Sequence, residues 1–309
     1  MAGMGLALAM VVADPSILGA KPAIAPASEE APAETVVEGW SDAHARMTVN
    51  VLVQGSGPYR FLVDTGSQRT VVSTRLAQVL GLEAGPQARV VGIAATHRVA
   101  TAHVETIAVG SRSFHDLTVP LLEGENIGAD GILGTDSLQH ERVLLDFTRN
   151  TIHLGDAREN GGRRGFEIVV RARRKSGRLI LTDAKIDGVH VDVVIDTGAS
   201  GSVGNPALQR ALAGRKRLPA MLKGSLSSVT GHDLPVEIGV AGKLELAGIS
   251  VSNVIIAYAD APAFGELKLA KRPAIFLGMR ELRVFKRVAI DFSTKKVLLD
   301  IGDPAGNRR

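Results

Sequence analysis

The sequence predicts an all-β protein of two similar lobes, each with a short helix. Three observations support this fold class. Short runs of Val, Ile and Leu alternate with turn residues, and 34 of the 309 residues are glycine, as in turn-rich all-β proteins. The long alternation of strands and helices that builds a parallel α/β sheet is absent. A series of four sequence signals occurs twice in the same order, which indicates an internal duplication.

The first repeated signal is Asp-Thr-Gly, at residues 64–66 and again at 196–198, a separation of 132 residues. Each copy ends an apolar, β-branched run. A strand that ends at a carboxylate followed by glycine presents the acid at a tight turn, because glycine adopts backbone conformations that other residues avoid. Two such turns at the same place in a duplicated half predict two carboxylates that meet.

The other three signals follow Asp-Thr-Gly in the same order in both halves. They are a short helical stretch with a polar start and a glycine stop, an apolar segment that ends in glycine, and two apolar runs joined by an Asp-Phe turn. They lie at 74–81, 130–134 and 143–154 in the first half, and at 205–214, 274–278 and 288–299 in the second. The duplication predicts one lobe over residues 40–155 and another over 166–302, joined by a polar, glycine-rich segment.

Residues 1–39 are predicted to form a leader-like segment followed by a disordered linker rich in alanine and proline. The apolar run at 3–13 is too short to span a bilayer, and it precedes small residues that a signal peptidase accepts. This pattern predicts export to the periplasm or secretion. Because no Lys or Arg precedes the run, two alternatives stay open. One is an uncleaved anchor that would hold the protein near a membrane, and the other is an apolar tail without a targeting role.

The charge pattern gives no sign of a nucleic-acid partner. The formal net charge is +4, and the basic clusters at 171–175 and 215–217 lack the interleaved aromatic residues of nucleic-acid-binding segments. We expect solvated surface there, with some attraction to anionic membranes or acidic substrates. Glycine-rich phosphate-binding loops are absent. The chain contains no cysteine, which excludes disulfides and thiolate metal sites.

The two Asp-Thr-Gly motifs and the two apolar segments that end in glycine resemble those of the aspartic protease clan, which contains the pepsins and retropepsins. The chain is most similar to the bacterial retropepsin-like aspartyl proteases, with both lobes in one polypeptide, over residues 40–302. The resemblance implies two β-barrel lobes with an active-site cleft between them. It also implies an aspartic endopeptidase that acts on a polypeptide substrate and needs no cofactor. The sequence departs from the pepsins in lacking a tyrosine where their flap carries one, since its tyrosines are Tyr59 and Tyr258.

The resemblance identifies Asp64 and Asp196 as the catalytic pair. At a separation of about 3 Å two carboxylates cannot both stay charged, so the pair holds one proton, as is general for aspartic proteases. One acid then donates to the scissile carbonyl while the other takes a proton from a bound water. The residues beside the pair are expected to join the lobes or to approach the carboxylates: Thr65, Gly66, Ser67, Thr197, Gly198 and Ala199.

The two motifs differ after the glycine, where Ser67 stands in the first copy and Ala199 in the second. A hydroxyl beside Asp64 can donate to its carboxylate and favour the charged form, whereas alanine cannot do this for Asp196. We therefore expect Asp64 to be the more acidic member. On this hypothesis Ser67→Ala moves the acidic limb of the pH-rate profile upward.

In this clan a β-hairpin closes over an extended substrate and binds its backbone by strand addition. The matching stretches are 90–101 and 228–235. The residues that we expect to contact the substrate are Gly92, Ile93, Thr230 and Gly231, with Ile93 supplying the apolar cover. Ordinary hairpin turns are the alternative, because turn geometry alone selects glycine at such positions.

Other polar residues are expected to have no catalytic role. His97, His103 and His115 do not have the spacing of zinc ligands, so no metal site is predicted. Asp146 and Asp291 lie between a strand and a turn, where aspartate caps nearby backbone amides.

Two classes of function stay open on the sequence. One is an exported aspartic endopeptidase, and the other is a non-catalytic peptide-binding or scaffold protein on the same fold, because a fold alone does not guarantee activity. The presence of both acids favours the enzyme. Two lobes in one chain favour a monomer, although retropepsin-like halves also associate between chains.

Overall fold

The computed structural model describes residues 6–8, 12–13, 35–42, 45–155, 166, 168–215 and 221–301. These residues form two nine-stranded sheets, one six-stranded sheet and six short helices. The predicted all-β fold of two similar lobes is therefore confirmed. In this part of the chain no helix is long and apolar enough to cross a membrane.

The elements of the first half are β1 (Leu6–Leu8), β2 (Val12–Ala13), β3 (Thr35–Glu38), β4 (Trp40–Ser41), β5 (Met47–Val53), β6 (Ser56–Val63), β7 (Val71–Ser73), α1 (Thr74–Leu80), β8 (Glu83–Val91), β9 (Thr96–Val109), β10 (Arg112–Leu122), α2 (Gly124–Ile127), β11 (Gly131–Leu133), α3 (Thr135–Leu138), β12 (Arg142–Asp146) and β13 (Thr151–Gly155). Those of the second half are β14 (Ile168–Arg171), β15 (Arg173–Lys175), β16 (Arg178–Ile186), β17 (Val189–Ile195), β18 (Ser202–Gly204), α4 (Pro206–Ala213), β19 (Leu222–Ser228), β20 (Asp233–Leu246), β21 (Ile249–Tyr258), α5 (Pro262–Glu266), β22 (Ala274–Leu277), α6 (Met279–Leu282), β23 (Arg287–Asp291) and β24 (Lys296–Asp300).

Each lobe is built on one nine-stranded sheet. The strand order is β2-β8-β9-β10-β7-β11-β6-β5-β4 in the first lobe, lobe one, and β1-β19-β20-β21-β18-β22-β17-β16-β15 in the second, lobe two. A further pairing, β9 with β5 in lobe one and β20 with β16 in lobe two, folds each sheet back on itself. Equivalent strands take equivalent positions, so the duplication in the sequence is also a duplication of the fold.

The third sheet is shared by the two lobes. Its order is β14-β24-β23-β12-β13-β3. At its centre β12 and β23 pair antiparallel, with Val143 opposite Ile290 and Leu145 opposite Val288. The predicted boundary segment, 156–165, lies outside the described residues. The closing strands of the lobes pair with each other, so the lobes are joined by a sheet as well as by the chain.

Three short strands lie within the predicted leader and linker. β1 runs parallel to β19 with Leu6 opposite Leu226, and β2 runs antiparallel to β8 with Val12 opposite Val91. β3 pairs with β13 where a disordered linker was expected. Its sequence, TVVE, contains the β-branched residues that favour strands. The rest of the predicted leader lies outside the described residues.

The interior is filled mainly by aliphatic side chains, as a chain with 4% aromatic residues requires. In β5, Val49, Val51 and Val53 are buried while Asn50 and Leu52 are more exposed. This period of two turns one face of the strand to the core. Burial of one such aliphatic side chain contributes about 1.5–3 kcal/mol, so the alternation of side chains along the strands accounts for much of the stability of each barrel.

Helices α1 and α4 occupy the two positions at which the sequence predicts helices. The hydroxyl of Ser73 caps α1 by accepting from the Leu76 N–H, and the helix ends at Gly81 with φ 60°, a left-handed conformation that favours glycine. The side chain of Asn205 caps α4 by accepting from the Leu208 N–H. In each lobe one short strand, β7 or β18, lies between the Asp-Thr-Gly turn and the helix.

Candidate active site

The two Asp-Thr-Gly turns lie at the ends of equivalent strands. Asp64 follows β6, which is parallel to β11, and Asp196 follows β17, which is parallel to β22. The N–H of Asp64 donates to the carbonyl of Leu133 at the end of β11, at 3.0 Å. The N–H of Asp196 donates to Leu277 at the end of β22, also at 3.0 Å. The apolar segments that end in glycine therefore fix the positions of both aspartates.

The two turns pack so closely that each glycine faces the opposite carboxylate. A β-carbon on Gly66 would lie 2.5 Å from Cγ of Asp196, and one on Gly198 would overlap the carboxylate of Asp64. Each glycine N–H donates to the aspartate of its own lobe, at 2.7 Å in lobe one and 3.1 Å in lobe two. The side chains of the two aspartates are fully buried, and Oδ2 of each has no hydrogen-bond partner among the residues that the structure describes. The structure thus brings the two predicted acids together.

The threonines tie the turns together across the lobe interface. Thr197 Oγ1 donates to the carbonyl of Val63 at 2.6 Å, and Thr65 Oγ1 donates to the carbonyl of Ile195 at 2.9 Å. Each hydroxyl also accepts from the backbone N–H of the other threonine, at 3.1 and 3.3 Å. The two motifs therefore hold each other through reciprocal, buried hydrogen bonds.

Burial raises the pKa of both carboxyls. The pKa of Asp64 rises from 3.8 to about 7 because desolvation outweighs the groups that lower it. Those groups are chiefly the backbone N–H groups of Gly66 and Ser67 and the charge of Arg178. The pKa of Asp196 rises well above 3.8 through burial and the negative charge of Asp64, although the charge of Arg178 and the N–H of Gly198 lower it. The pair therefore holds a proton at neutral pH, and two backbone N–H donors on Asp64 against one on Asp196 make Asp64 the more acidic member.

The structure gives a different cause for the greater acidity of Asp64 from the one that the sequence predicts. The hydroxyl of Ser67 donates to the carbonyl of Arg69 at 2.7 Å. The backbone N–H of Ser67 reaches Oδ1 of Asp64 instead, at 2.9 Å. Both this N–H and that of Ala199 also lie 3.4 Å from the main-chain oxygen of their own aspartate, so the bond to the carboxylate is what sets Ser67 apart. The hypothesis that the serine hydroxyl favours the charged form of Asp64 is therefore wrong. Ser67 carries two donors, and only the folded turn decides which of them faces the carboxylate.

Both predicted hairpins are present, one joining β8 to β9 and the other joining β19 to β20. A β-carbon on Gly92 would lie 2.8 Å from Oγ of Ser228 and 3.3 Å from Thr230, both in the opposite hairpin. Close approach of the hairpins therefore requires glycine there. Gly231 has φ 76° and faces the side chain of Asn126 in lobe one. Both the left-handed backbone conformation and the close approach of Asn126 therefore favour glycine at this position.

The hairpin tips pack against the opposite lobe and against each other. Ile93, from the lobe-one hairpin, is fully buried in a cluster that includes Ala199 of lobe two. Val229, from the lobe-two hairpin, is buried in a cluster of lobe-one residues. The imidazole rings of His97 and His232 stack with their centroids 4.0 Å apart. The predicted flap residues thus meet at one place, and their contact with a substrate stays a prediction.

A buried charge that no predicted motif includes also lies at the site. Arg178, the first residue of β16, is fully buried, and its Nε donates to the carbonyl of Gly66 at 2.6 Å. Desolvation lowers the pKa of Arg178 to about 10, against the charges of Asp64 and Asp196, which raise it. The sequence carries a signal for it. An arginine stands 18 residues before the aspartate of each motif, since Arg46 precedes Asp64 at the same interval.

The two other repeated aspartates cap turns. Oδ1 of Asp146 accepts from the backbone N–H groups of Thr148 and Arg149, at 3.0 and 2.9 Å. Oδ1 of Asp291 accepts from the N–H of Thr294 at 2.7 Å. The predicted turn-capping role is confirmed for both.

The histidines of lobe one have separate surroundings. His103 lies 3.7 Å from Asp116, and His115 lies 3.4 Å from the hydroxyl of Thr106. His97 lies in the hairpin described above. Among the residues that the structure describes, no three His, Asp or Glu side chains are grouped so that they could hold a metal ion.

Two barrels that each contribute an Asp-Thr-Gly turn to one buried carboxyl pair define the architecture of the aspartic proteases. Residues 49–140 match a family model described as gag-polyprotein putative aspartyl protease, and residues 182–280 match one described as aspartyl protease. The chain belongs to the retropepsin-like aspartic proteases, with two lobes in one polypeptide. These matches support a protease-type function in general. Comparison with curated proteins gives no match.

Proposed function

We propose that the protein is an aspartic endopeptidase that hydrolyses peptide bonds of an extended polypeptide, using a water activated between Asp64 and Asp196. The observation that supports this most directly is that each fully buried carboxyl lies against the glycine of the opposite Asp-Thr-Gly turn, with the pKa of both carboxyls raised. Buried acids cost stability, and strongly perturbed acids cluster at functional sites. A pair built from both lobes at this cost is best explained by catalysis.

The unequal hydrogen bonding of the two carboxyls assigns the two roles. Asp64, the more acidic member, takes a proton from the water as the water oxygen attacks the scissile carbonyl carbon. Protonated Asp196 donates to the carbonyl oxygen and stabilises the charge that develops there. When the tetrahedral intermediate collapses, the C–N bond breaks, Asp196 recovers its proton and the proton on Asp64 passes to the leaving nitrogen. Both aspartates end in their starting protonation states, and no covalent bond to the protein forms.

The rigidity of the turns supports this chemistry. The reciprocal bonds between Thr65 and Thr197 hold the two carboxyls in register before a substrate binds. A preorganised site of this kind loses little energy to reorganisation during the reaction. The glycines at 66 and 198 permit the close approach on which proton sharing depends.

The hairpins support a peptide as the substrate. Their outer strands, β8 and β19, each already pair with an added strand, β2 and β1. One of these added strands is antiparallel and the other parallel to its partner, as expected where one extended chain meets two equivalent hairpins that face opposite ways. An extended substrate would use the same backbone edges, which gives affinity without a strict sequence requirement.

The test is cleavage of unfolded casein by the full-length protein between about pH 4 and pH 9, with and without pepstatin. We expect Asp64→Asn and Asp196→Asn each to lower cleavage by at least about a thousandfold. Asp146→Asn is the matched control, because this buried aspartate caps a turn, and it should retain cleavage. Retention of cleavage by either dyad variant contradicts the proposal. Binding of a peptide without hydrolysis by the wild type would favour a peptide-binding role instead.

A further inference from the structure

Arg178 of lobe two binds the peptide unit between Gly66 and Ser67 of lobe one, and the N–H of this unit donates to Asp64. Its Nε donates to the carbonyl oxygen of Gly66 at 2.6 Å. The N–H of that same peptide unit belongs to Ser67 and donates to Oδ1 of Asp64 at 2.9 Å. Arg178 and Asp64 therefore hold opposite ends of one amide group.

This arrangement has an electrostatic consequence. A donor on the oxygen of an amide and an acceptor on its N–H polarise the group in the same direction, so each hydrogen bond strengthens the other. The guanidinium is planar and directs its N–H rigidly, which fixes the orientation of the amide. A fixed and polarised N–H favours the charged form of the carboxyl that accepts from it, and here that carboxyl belongs to Asp64.

The equivalent peptide unit of lobe two is held differently. The N–H groups of Ser67 and Ala199 each lie 3.4 Å from the main-chain oxygen of the aspartate of their own turn, but of the two only the N–H of Ser67 also bonds to the carboxylate, at 2.9 Å. The equivalent arginine, Arg46, is as deeply buried as Arg178 but stays within its own lobe. It donates to Oδ2 of Asp42 and to the carbonyl of Ile127, each at 2.7 Å. Two arginines at the same position in the duplication thus do different work.

We propose that Arg178 is the positioning residue that makes Asp64 more acidic than Asp196, because it holds the peptide unit between Gly66 and Ser67 so that a backbone N–H points at Asp64. Asp64 is thereby kept as the ionised base, and Asp196 is left as the proton donor. This inference rests on the endopeptidase function proposed above and deepens it. On this inference, a residue outside both Asp-Thr-Gly motifs determines which aspartate is the base and which is the acid.

The experiment compares Arg178→Gln and Arg178→Lys with Arg46→Gln. Glutamine keeps an N–H donor and removes the charge, lysine keeps the charge and removes the planar group, and Arg46→Gln removes an equally buried charge at the equivalent place. The pH dependence of kcat/KM is measured for each folded variant. In Arg178→Gln we expect the acidic limb to move upward by about one pH unit, and in Arg178→Lys to move upward by less. In Arg46→Gln it should move less than half as far as in Arg178→Gln.

A merely structural role for Arg178 would reduce activity without moving the acidic limb. An unmoved limb in both Arg178 variants, with circular dichroism and thermal melting showing folded protein, overturns the inference. An equal shift in Arg46→Gln overturns it as well. Arg178→Lys preserves charge and bulk, so it keeps the inference testable if Arg178→Gln does not fold.

A second readout separates this inference from the proposed function. If the wild type shows no pepstatin-sensitive cleavage, the endopeptidase proposal fails. The titration of the two carboxyls can still be followed by carbon NMR with labelled aspartate and no substrate. The lower apparent pKa of the coupled pair has to rise in Arg178→Gln and stay nearer the wild-type value in Arg46→Gln. If it does not rise, the role of Arg178 is refuted regardless of activity.

Discussion

Lobe one and lobe two have equivalent strands in the same order, yet the backbone forms different hydrogen bonds to the aspartate of each lobe. In lobe one the N–H groups of Gly66 and Ser67 both reach the side chain of Asp64. In lobe two one such group, from Gly198, reaches Asp196. The difference teaches that a duplicated scaffold can give two acids equivalent positions and unequal acidity. A pair that shares one proton needs such a difference, because only unequal partners take distinct roles as acid and base.

The largest effect is expected where the lobes are most alike. Gly66→Ala and Gly198→Ala each place a methyl group on the opposite carboxylate, so we expect either change to lower kcat/KM by at least about a hundredfold. Gly265→Ala is the control, because a β-carbon there would meet nothing within 4 Å. Steady-state kinetics on a peptide substrate measures the effect. Wild-type activity in one of the two dyad variants would show that the turns do not approach symmetrically.

The buried pair should also make stability depend on pH. The folded pKa of Asp64 is raised from 3.8 to about 7, so the stability that this group contributes is complete below the unfolded pKa and is lost as the pH rises through about 7. We expect the free energy of unfolding to fall by on the order of a few kcal/mol between about pH 4 and pH 8. Urea denaturation at the two pH values measures it.

Asp64→Asn should flatten this fall, because it removes the group whose ionisation in the folded state causes it. Other buried acids with raised pKa, such as Glu281, are present in both proteins and cancel in the comparison. An equal pH dependence in the wild type and the variant would mean that the dyad does not ionise within the folded protein over this range.

The threonine bridge should contribute nearly equally from the two lobes. Thr65→Val and Thr197→Val each leave a carbonyl and an N–H of the opposite lobe without a partner, which costs about 1–3 kcal/mol. We expect Thr197→Val to cost slightly more, because its bond to the carbonyl is shorter, 2.6 Å against 2.9 Å. The double variant should cost less than the sum of the two, since each change breaks the same bridge. Strict additivity in urea denaturation would contradict a shared bridge.

Strands β1 and β2 offer a test of the two hairpins together. Deletion of residues 1–13 frees the edges of β8 and β19 with which these strands pair. We expect KM for an extended peptide to fall about two- to tenfold with kcat unchanged, because a competitor tethered to the site is removed. A synthetic peptide of residues 1–14, added to the truncated protein, should raise KM again. An unchanged KM would mean that substrate does not use these edges.

The smallest effect is expected at the one position where the two motifs differ in sequence. Ser67→Ala removes a hydroxyl that donates to Arg69 and keeps the N–H that donates to Asp64. The acidic limb of kcat/KM should therefore stay within about 0.3 pH units of the wild type. A larger upward shift would restore the hydroxyl as the cause of the inequality.

Local patterns were enough to predict much of this molecule. The Asp-Thr-Gly turns, the capped helices α1 and α4, and the turns capped by Asp146 and Asp291 all depend on residues close together in the chain. Their physical causes, such as backbone caps and the freedom of glycine, act over a few residues. The duplication added long-range information, because two equal halves that each end at an acid predict that the acids meet.

Contacts between distant residues were not predictable in the same way. Arg46 and Arg178 stand at the same interval before their aspartates, yet one bonds within its lobe and the other crosses to Gly66. One local difference does distinguish them, because Asp42 lies four residues before Arg46 and pairs with it, whereas Arg174 stands at the equivalent place before Arg178. That Arg178 reaches the carbonyl of Gly66 depends on how the packed lobes place that carbonyl.

By itself, the sequence determined the two-lobed β architecture, the identity of the paired acids and the residues that flank them, because these follow from periodicity, turn chemistry and repetition along the chain. Only the tertiary structure decided which donor of Ser67 faces Asp64, that Arg178 reaches across the interface, and that the strands of the two lobes close into one shared sheet. The reason is physical. Burial and hydrogen-bond direction are properties of packed surfaces, and they arise only when segments far apart in the chain come into contact.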